Sequence, residues 1–327
     1  MISAAGFDFP GASSNILLMG LFAALRLFDT DDVRERISMR AAIEQLQRVL
    51  REGFDPDDDP ARSIIDVRAG QLLLMPADLG AYAGQKLGMV APGNPARGLE
   101  RIQAVYVLLD AETLSPVALM DGTELTSIRT PAVSAAAVDV LAAPDAERLV
   151  VFGSGPQAIR HVEAMRAIRP IREAVIVGRD PEKARRAADA SARHGVEARV
   201  GSPADVEGAD IIVCATTARE PLFSSEQVAD HATVVAVGSH EPGARELPGE
   251  LVGRSQVVVE TLRVGTTEAG DVIQAIAEGH LTEADLVTMR QVIASEVAAS
   301  TDRPRIVKTC GMGWQDLAVA SLLGGAA

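Results

Sequence analysis

Leu149-Val150-Val151-Phe152-Gly153-Ser154-Gly155-Pro156-Gln157-Ala158 decides the fold. Four apolar residues read as a buried strand, and the G-x-G-x-x-A that begins at Gly153 reads as a tight turn into a helix. The first glycine permits the turn, and the second lets backbone approach a pyrophosphate. The small third residue lets helix and strand pack closely. The helix N-terminus then faces the phosphates with free N–H groups and the positive end of its dipole. Alone the pattern is weak. Here a helix over 156–168 follows, and a second strand over 174–177 ends about 25 residues on, as a dinucleotide-binding unit requires.

The end of that second strand, Val177-Gly178-Arg179-Asp180, bears on which dinucleotide is bound. An acidic residue there would bond the ribose 2′-hydroxyl of NAD(H), whereas an Arg would accept the 2′-phosphate of NADP(H). Arg179 therefore favours NADP(H) over NAD(H). Asp180 keeps NAD(H) open, and it also suits the N-cap of the next helix.

Downstream the rhythm continues with a helix over 181–194 and strands over 197–200, 211–214, 233–237 and 257–259. Such alternation means a doubly wound parallel sheet with helices on both faces, a Rossmann-type α/β fold. Ligands bind at the carboxyl ends of such strands. Gly153, Ser154, Gly155, Pro156, Gln157, Arg179, Asp180, Ala215, Thr216, Val237, Gly238 and Ser239 are thus expected cofactor neighbours, with Thr130 and Thr309 near the two ends of the block. Helices over 271–278 and 283–300 are expected next, then a tail with a helix from about Trp314.

Upstream the pattern differs. A strand over 25–28 precedes a helix over 38–51, where Ile43, Leu46 and Leu50 share one face, Ser38 suits a cap and Gly53 a stop. Residues 54–60 form an acidic, proline-bearing loop. Short strands over 63–67, 71–75, 81–90, 101–109 and 115–120 are separated by Gly, Pro, Asp and Asn, which is hairpin-rich β structure. The Ala/Val-rich stretch 130–141 reads as helical. The whole is a smaller α/β unit joined to the parallel-sheet unit.

Composition limits the partners. The 327 residues suffice for two domains, and aromatics are only 3%, so the core is built from Ala, Val, Leu and Ile. A net charge of −14 with no compact Lys/Arg cluster argues against nucleic acid. Two cysteines, Cys214 and Cys310, make neither a disulfide framework nor a zinc site, and five scattered His add no ligand spacing, so no metal is expected. The apolar stretch 15–28 is interrupted by Arg26, too short for a bilayer, and preceded by no basic region. A cytoplasmic protein with no membrane contact is the expectation, and Met19 is an alternative start.

Several further segments, in order, resemble the ornithine cyclodeaminase/mu-crystallin family from about Leu25 to Ala320. They are Gln71-Leu72-Leu73-Leu74-Met75-Pro76-Ala77, Lys86-Leu87-Gly88, Asn94-Pro95 with Gly98-Leu99, and Met120-Asp121-Gly122 with Leu125-Thr126-Ser127-Ile128-Arg129-Thr130. Gly153 to Ala158, Gly238-Ser239-His240-Glu241-Pro242 with Arg245-Glu246-Leu247, Glu268-Ala269-Gly270-Asp271, and Gly311-Met312 with Asp316-Leu317 complete the set. The resemblance implies two domains. Residues 1–129 with 304–327 would bind substrate and form a homodimer interface, and 130–303 would bind the dinucleotide. It also implies that Arg62, Lys86 and Arg129 hold a substrate carboxylate, with Lys86 close to the reacting carbon. The physics agrees: guanidinium groups clamp carboxylates bidentately, and a buried Lys with a lowered pKa exchanges protons near neutrality.

The expected activity is NAD(P)H-dependent reduction of a small cyclic ketimine or imino acid, or the reverse amino acid dehydrogenation, on a small-molecule amino or imino acid. Lys86 and His240 are its candidate catalytic groups. Two alternatives stay open: a cyclodeaminase-type lyase that retains NAD, and an NADPH-retaining binding protein of the mu-crystallin kind. The resemblance places His240 where cyclodeaminases carry an Asp. An imidazole cannot replace an anion that anchors an ammonium, which favours the reductase.

Overall fold

The computed structural model describes residues 25–325, so the alternative start at Met19 and most of the apolar stretch 15–28 lie outside the described residues. Two sheets organise the chain. The first holds β1 (Arg26–Phe28), β2 (Ser63–Val67), β3 (Gly70–Asp78), β4 (Tyr82–Val90), β5 (Ile102–Asp110) and β6 (Pro116–Asp121), in the order β1-β6-β5-β4-β3-β2. Strands β2 to β6 form an antiparallel meander, and β1 joins its far side parallel to β6. Met75, Lys86 and Tyr106 stand directly opposite one another across β3, β4 and β5. Their side chains therefore share one face of the sheet.

The second sheet is wholly parallel, as expected for a Rossmann-type unit. It holds β7 (Arg148–Phe152), β8 (Glu173–Val177), β9 (Glu197–Val200), β10 (Ile211–Cys214), β11 (Thr233–Ala236), β12 (Gln256–Val259), β13 (Leu286–Thr288) and β14 (Arg305–Lys308). Their order is β13-β12-β14-β11-β10-β7-β8-β9. Strand β14 lies inside this sheet, paired with β11 and β12. The chain therefore returns toward the first sheet only after Lys308.

Ten helices connect the strands among the described residues: α1 (Thr30–Arg36), α2 (Met39–Arg51), α3 (Gly122–Leu141), α4 (Pro156–Ile168), α5 (Pro181–Ala192), α6 (Gly249–Arg254), α7 (Leu262–Thr267), α8 (Gly270–Ala277), α9 (Met289–Ile293) and α10 (Gly313–Ala320). Between the strand at 25–28 and the helix from 38, the segment from Asp29 nucleates a further helix, α1: Asp29 accepts bonds from Asp31 and Asp32 N–H groups and completes a capping box with Asp32. Helix α2 has the expected cap at Ser38 and buries Ile43, Leu46 and Leu50. Helix α3 starts at Gly122 rather than 130, because the Asp121 side chain caps it through Thr123 and Glu124 N–H groups. The helix expected over 283–300 is broken into a short turn, β13 and α9. Thr288 and Gln291 form a capping box that starts α9, and Ser295 closes it at φ 62°.

Helix α3 packs on α2 and α4, and α10 packs on α2, α3, β3 and β4, so these two helices tie the sheets together. A single core runs from α2 through α3 to one face of the parallel sheet, and a second core covers the other face. Among the described residues no helix is long and apolar enough to cross a membrane.

Candidate active site

A cavity of about 680 Å³ opens along the carboxyl ends of β7, β8 and β10. Gly153, Ser154, Gly155, Arg179, Asp180, Ala215 and Thr216 line it, and so do Lys183 and Ser202. Gly153 takes φ +118°, and any Cβ there would overlap the Ala215 carbonyl oxygen, so only glycine fits. Gly155 is the N-cap of α4 and offers no side chain to its first N–H groups, with Pro156 at the start of the helix. Those donors are left for an anion. The Gln157 Oε1 atom is buried on the same turn with no hydrogen-bond partner. Glycine cradle, free helix end and orphaned amide together fit a dinucleotide.

At the other end of the cleft Asp180 is the N-cap of α5. Its Oδ1 accepts from Glu182 N at 3.0 Å and Lys183 N at 3.1 Å, bonds that hold its pKa below the usual carboxylate range. That oxygen is committed to the helix, while Arg179 and Lys183 stand free of ion pairs among the described residues and face the same cavity.

The remaining expected cofactor residues sit outside the cavity wall. Val237, Gly238 and Ser239 follow β11. The Ser239 side chain is fully buried and bonded to Asp271, and Thr309 is 1% exposed just after β14. Thr130 is half-buried on α3, where its carbonyl accepts from Ser134 Oγ at 3.3 Å. The sequence reading missed Glu246. This buried carboxylate accepts from Thr216 N at 2.8 Å, Thr216 Oγ1 at 2.7 Å and Gly238 N at 2.7 Å, tying the loops after β10 and β11 together. Burial raises it to about 7, against the pull of those three bonds.

The three cations expected to meet do meet, and a carboxylate the sequence reading did not assign organises them. Lys86 on β4 is 5% exposed, and its Nζ lies 2.6 Å from Asp316 Oδ2 on α10. Arg129 on α3 donates from Nε to Asp316 Oδ1 at 3.1 Å, and from Nη1 to Gln315 Oε1 at 3.0 Å. Glu260, buried after β12, accepts from Gln315 Nε2 at 2.5 Å and from Cys310 N at 2.7 Å. Arg62 pairs with Glu268 and reaches the Gly311 carbonyl at 3.3 Å. Burial, then the Arg129 charge, lowers Lys86 to about 8, and Asp316 opposes the fall. A fully buried amine with pKa near neutrality is an effective proton donor and acceptor.

His240 is exposed beside this cluster. Partial desolvation, then the Lys308 and Arg62 charges, hold its pKa below the ordinary imidazole value. The shift favours the neutral imidazole, which makes Lys86 the stronger candidate acid. Glu241, the next residue, pairs with Arg219 at 3.0 Å.

The ornithine cyclodeaminase/mu-crystallin family model matches residues 26–324. A delta(1)-pyrroline-2-carboxylate reductase of Bacillus cereus is 32% identical over 315 residues, covering 91% of this chain and 95% of that protein. The solved structure of Thermococcus litoralis delta(1)-pyrroline-2-carboxylate reductase in complex with NADH and L-proline superposes with a TM-score of 0.85 at 30% identity, covering 92% of this chain and 96% of that one. An archaeal alanine dehydrogenase dimer with bound NAD superposes with a TM-score of 0.84 at 27% identity, covering 92% and 95%.

Proposed function

Because the chain belongs to the ornithine cyclodeaminase/mu-crystallin family, we propose that it is an NAD(P)H-dependent reductase of a small cyclic ketimine carboxylate, able to run in reverse as an amino acid dehydrogenase. The observation that carries this reading is the buried Lys86–Asp316–Arg129 cluster. With Arg62 and Glu268 it brings three cations and their two paired carboxylates together. The two guanidinium groups are the groups that would clamp a substrate carboxylate.

The nicotinamide supplies a hydride to the C=N carbon when bound. Everything else falls to the chain. Arg62 and Arg129 fix the carboxylate, and the carboxylate fixes the orientation of the imine. Lys86 gives its proton to the imine nitrogen and becomes a neutral amine. Asp316 keeps Lys86 charged and aimed. In the reverse direction the neutral amine of Lys86 takes the proton back.

Arg179 and Lys183 support NADP(H) as the preferred cofactor, since both can meet a 2′-phosphate while the Asp180 carboxylate is occupied as a cap. The expected backbone and side-chain contacts at Gly153, Ser154, Gly155, Pro156, Gln157, Ala215 and Thr216 belong to the same reading, as does a cytoplasmic setting. The lyase reading lacks its anion: His240 stands in the place of the cyclodeaminase Asp, and Glu241 is turned to Arg219.

A homodimer completes the reading. Ile64, Ile65 and Val67 of edge strand β2 are 54%, 44% and 42% exposed, an apolar strand that a second copy would cover. The substrate domain would comprise the first sheet and α10, and the dinucleotide domain β7 to β14. The test is an NADPH and NADH oxidation screen of the purified protein against 1-pyrroline-2-carboxylate, its six-membered homologue, and 2-oxo acids with ammonia. Oxidation with none of them would overturn the reading.

A further inference from the structure

Lys86 is buried, and among the described residues its ion-pair partner is Asp316. A proton spent there must be replaced from somewhere. Around the start of α10, Asp59 Oδ1, the Tyr106 hydroxyl and Trp314 Nε1 are buried with no hydrogen-bond partner among the described residues. Unpaired buried polar atoms are costly, and a cluster of them marks an enclosed water or a functional path. Asp59 reaches α10 through its other oxygen, which accepts from Trp314 N at 3.1 Å. Tyr106 is the cross-strand neighbour of Lys86 and is fully buried. Its hydroxyl lies over Gly84, where any Cβ would overlap it. Position 84 is thus kept empty for that hydroxyl.

Asp59 also lines a second cavity, of about 20 Å³, with Arg62, Met75, Arg263 and Glu268. It shares no wall residue with the dinucleotide cleft. Its volume suits one water.

We propose that Asp59 and Tyr106 form a proton-supply line to Lys86, fed from this second cavity rather than through the cofactor cleft. The line rests on the reading of Lys86 as the proton donor. When Lys86 gives its proton to the substrate nitrogen, the Asp59 carboxyl proton passes through an enclosed water to the Tyr106 hydroxyl. The hydroxyl passes its own proton on, through water, to Asp316. Asp316 Oδ2 hands a proton to Lys86 Nζ across 2.6 Å. Asp59, now a carboxylate, takes a proton from bulk solvent, relayed by the water in the cavity. Only O–H and N–H bonds form and break, each carrier gains and loses one proton, and the reverse reaction runs the line backwards.

The charges around Asp59 suit the task. Burial raises it to about 7, the nearby Asp316 adds to the rise, and the bonds from α10 and the Arg263 charge oppose it. Arg62 and Glu268, in the same cavity wall, largely cancel each other as a pair. Asp59 is shifted up and Lys86 down, so burial brings the two groups toward one another and a proton can pass between them without a large energetic step.

The experiment uses the full chain with Asp59→Asn and, in parallel, Tyr106→Phe, which keeps the aromatic volume. With enzyme in excess over NADPH and 1-pyrroline-2-carboxylate at pH 7, Lys86 starts protonated, so the first hydride transfer should stay within about twofold of the parent protein. Steady-state kcat should fall about tenfold or more at unchanged KM and gain a solvent deuterium isotope effect, and imidazole should restore Asp59→Asn. Normal kcat in both variants overturns the line, and so does an equal loss in single and multiple turnover, which marks a structural role. Lys86→Met, measured alongside, separates the two claims. If it turns over normally, the Lys86 reading falls and takes the line with it, whereas inactive Lys86→Met beside normal Asp59→Asn and Tyr106→Phe sinks the line alone.

Discussion

Asp316→Asn is the sharpest perturbation of the cluster, because one carboxylate holds two cations. In a medium of effective dielectric about 20, opposite charges 2.6 Å apart attract by roughly 6 kcal/mol. One pKa unit corresponds to about 1.4 kcal/mol. If only a third of that attraction survives relaxation, Lys86 still drops by about 1.4 units, from about 8 toward the mid-6 range. Reduction requires protonated Lys86, so its rate falls as pH rises through the Lys86 pKa. The parent protein should lose reductase kcat above about pH 8, and Asp316→Asn should lose it from below pH 7. At pH 7.5 the variant should retain roughly a tenth of the parent kcat. Substrate KM should not rise, since removing the anion leaves the carboxylate clamp more positive. The variant should also melt earlier, because leaving one side of a buried ion pair unmatched costs about 3–5 kcal/mol. The assay is NADPH oxidation with 1-pyrroline-2-carboxylate over pH 5.5–9.5, below the melting range of both proteins. Superimposable pH profiles would refute the claim that Asp316 sets the Lys86 charge.

Four further outcomes follow from the same geometry. Lys86→Met should abolish turnover while NADPH binding, read by fluorescence titration, stays within about threefold. Arg62→Ala and Arg129→Ala should mainly raise substrate KM, by about tenfold or more for a lost charge-assisted bidentate contact, and unaltered kinetics in both would break the clamp. Replacing Arg179 with Gln should weaken NADPH by about tenfold or more and leave NADH nearly unchanged, and equal losses for both cofactors would remove the phosphate assignment. Stability should also report the two shifted groups by urea unfolding at several pH values. Asp59, raised from 3.8 to about 7, makes the folded state bind more protons, so stability falls between those pH values. Lys86, lowered from 10.5 to about 8, makes it bind fewer, so stability rises between 8 and 10.5. Asp59→Asn should make the first slope shallower, with Glu246, also raised to about 7, keeping the remainder, and should leave the second unchanged.

The dinucleotide half of the site was legible because its signal is local. A buried strand, two glycines and a helix start occupy ten consecutive residues, and Gly153 needs its positive φ for reasons internal to that turn. The parallel sheet followed from the rhythm around it. Strand β14 was not legible: Arg305–Lys308 has charged ends and becomes a central strand only through partners from 233–236 and 256–259. The break in 283–300 has the same origin, since β13 is recruited by β12. The cations were legible only through the resemblance to a family, because nothing local distinguishes Arg62, Lys86 or Arg129 from solvated surface charges. Asp316 and Asp59 illustrate the limit. Asp316 meets Lys86 across 230 residues of chain, and Asp59 touches α10 across 255. In sequence each is one carboxylate among many; only the fold buries it against its partner.

The central claim is that this cluster reduces a C=N bond rather than expelling ammonia. Purified protein should be given, in separate reactions, NADPH with 1-pyrroline-2-carboxylate, and L-ornithine with NAD present. Proline and ammonia are followed together with the cofactor absorbance. The account predicts proline formed one for one with NADPH oxidised in the first reaction, and no ammonia in the second. Ammonia and proline released steadily from ornithine, with the NAD unchanged and no NADPH oxidised by the imine, would contradict it.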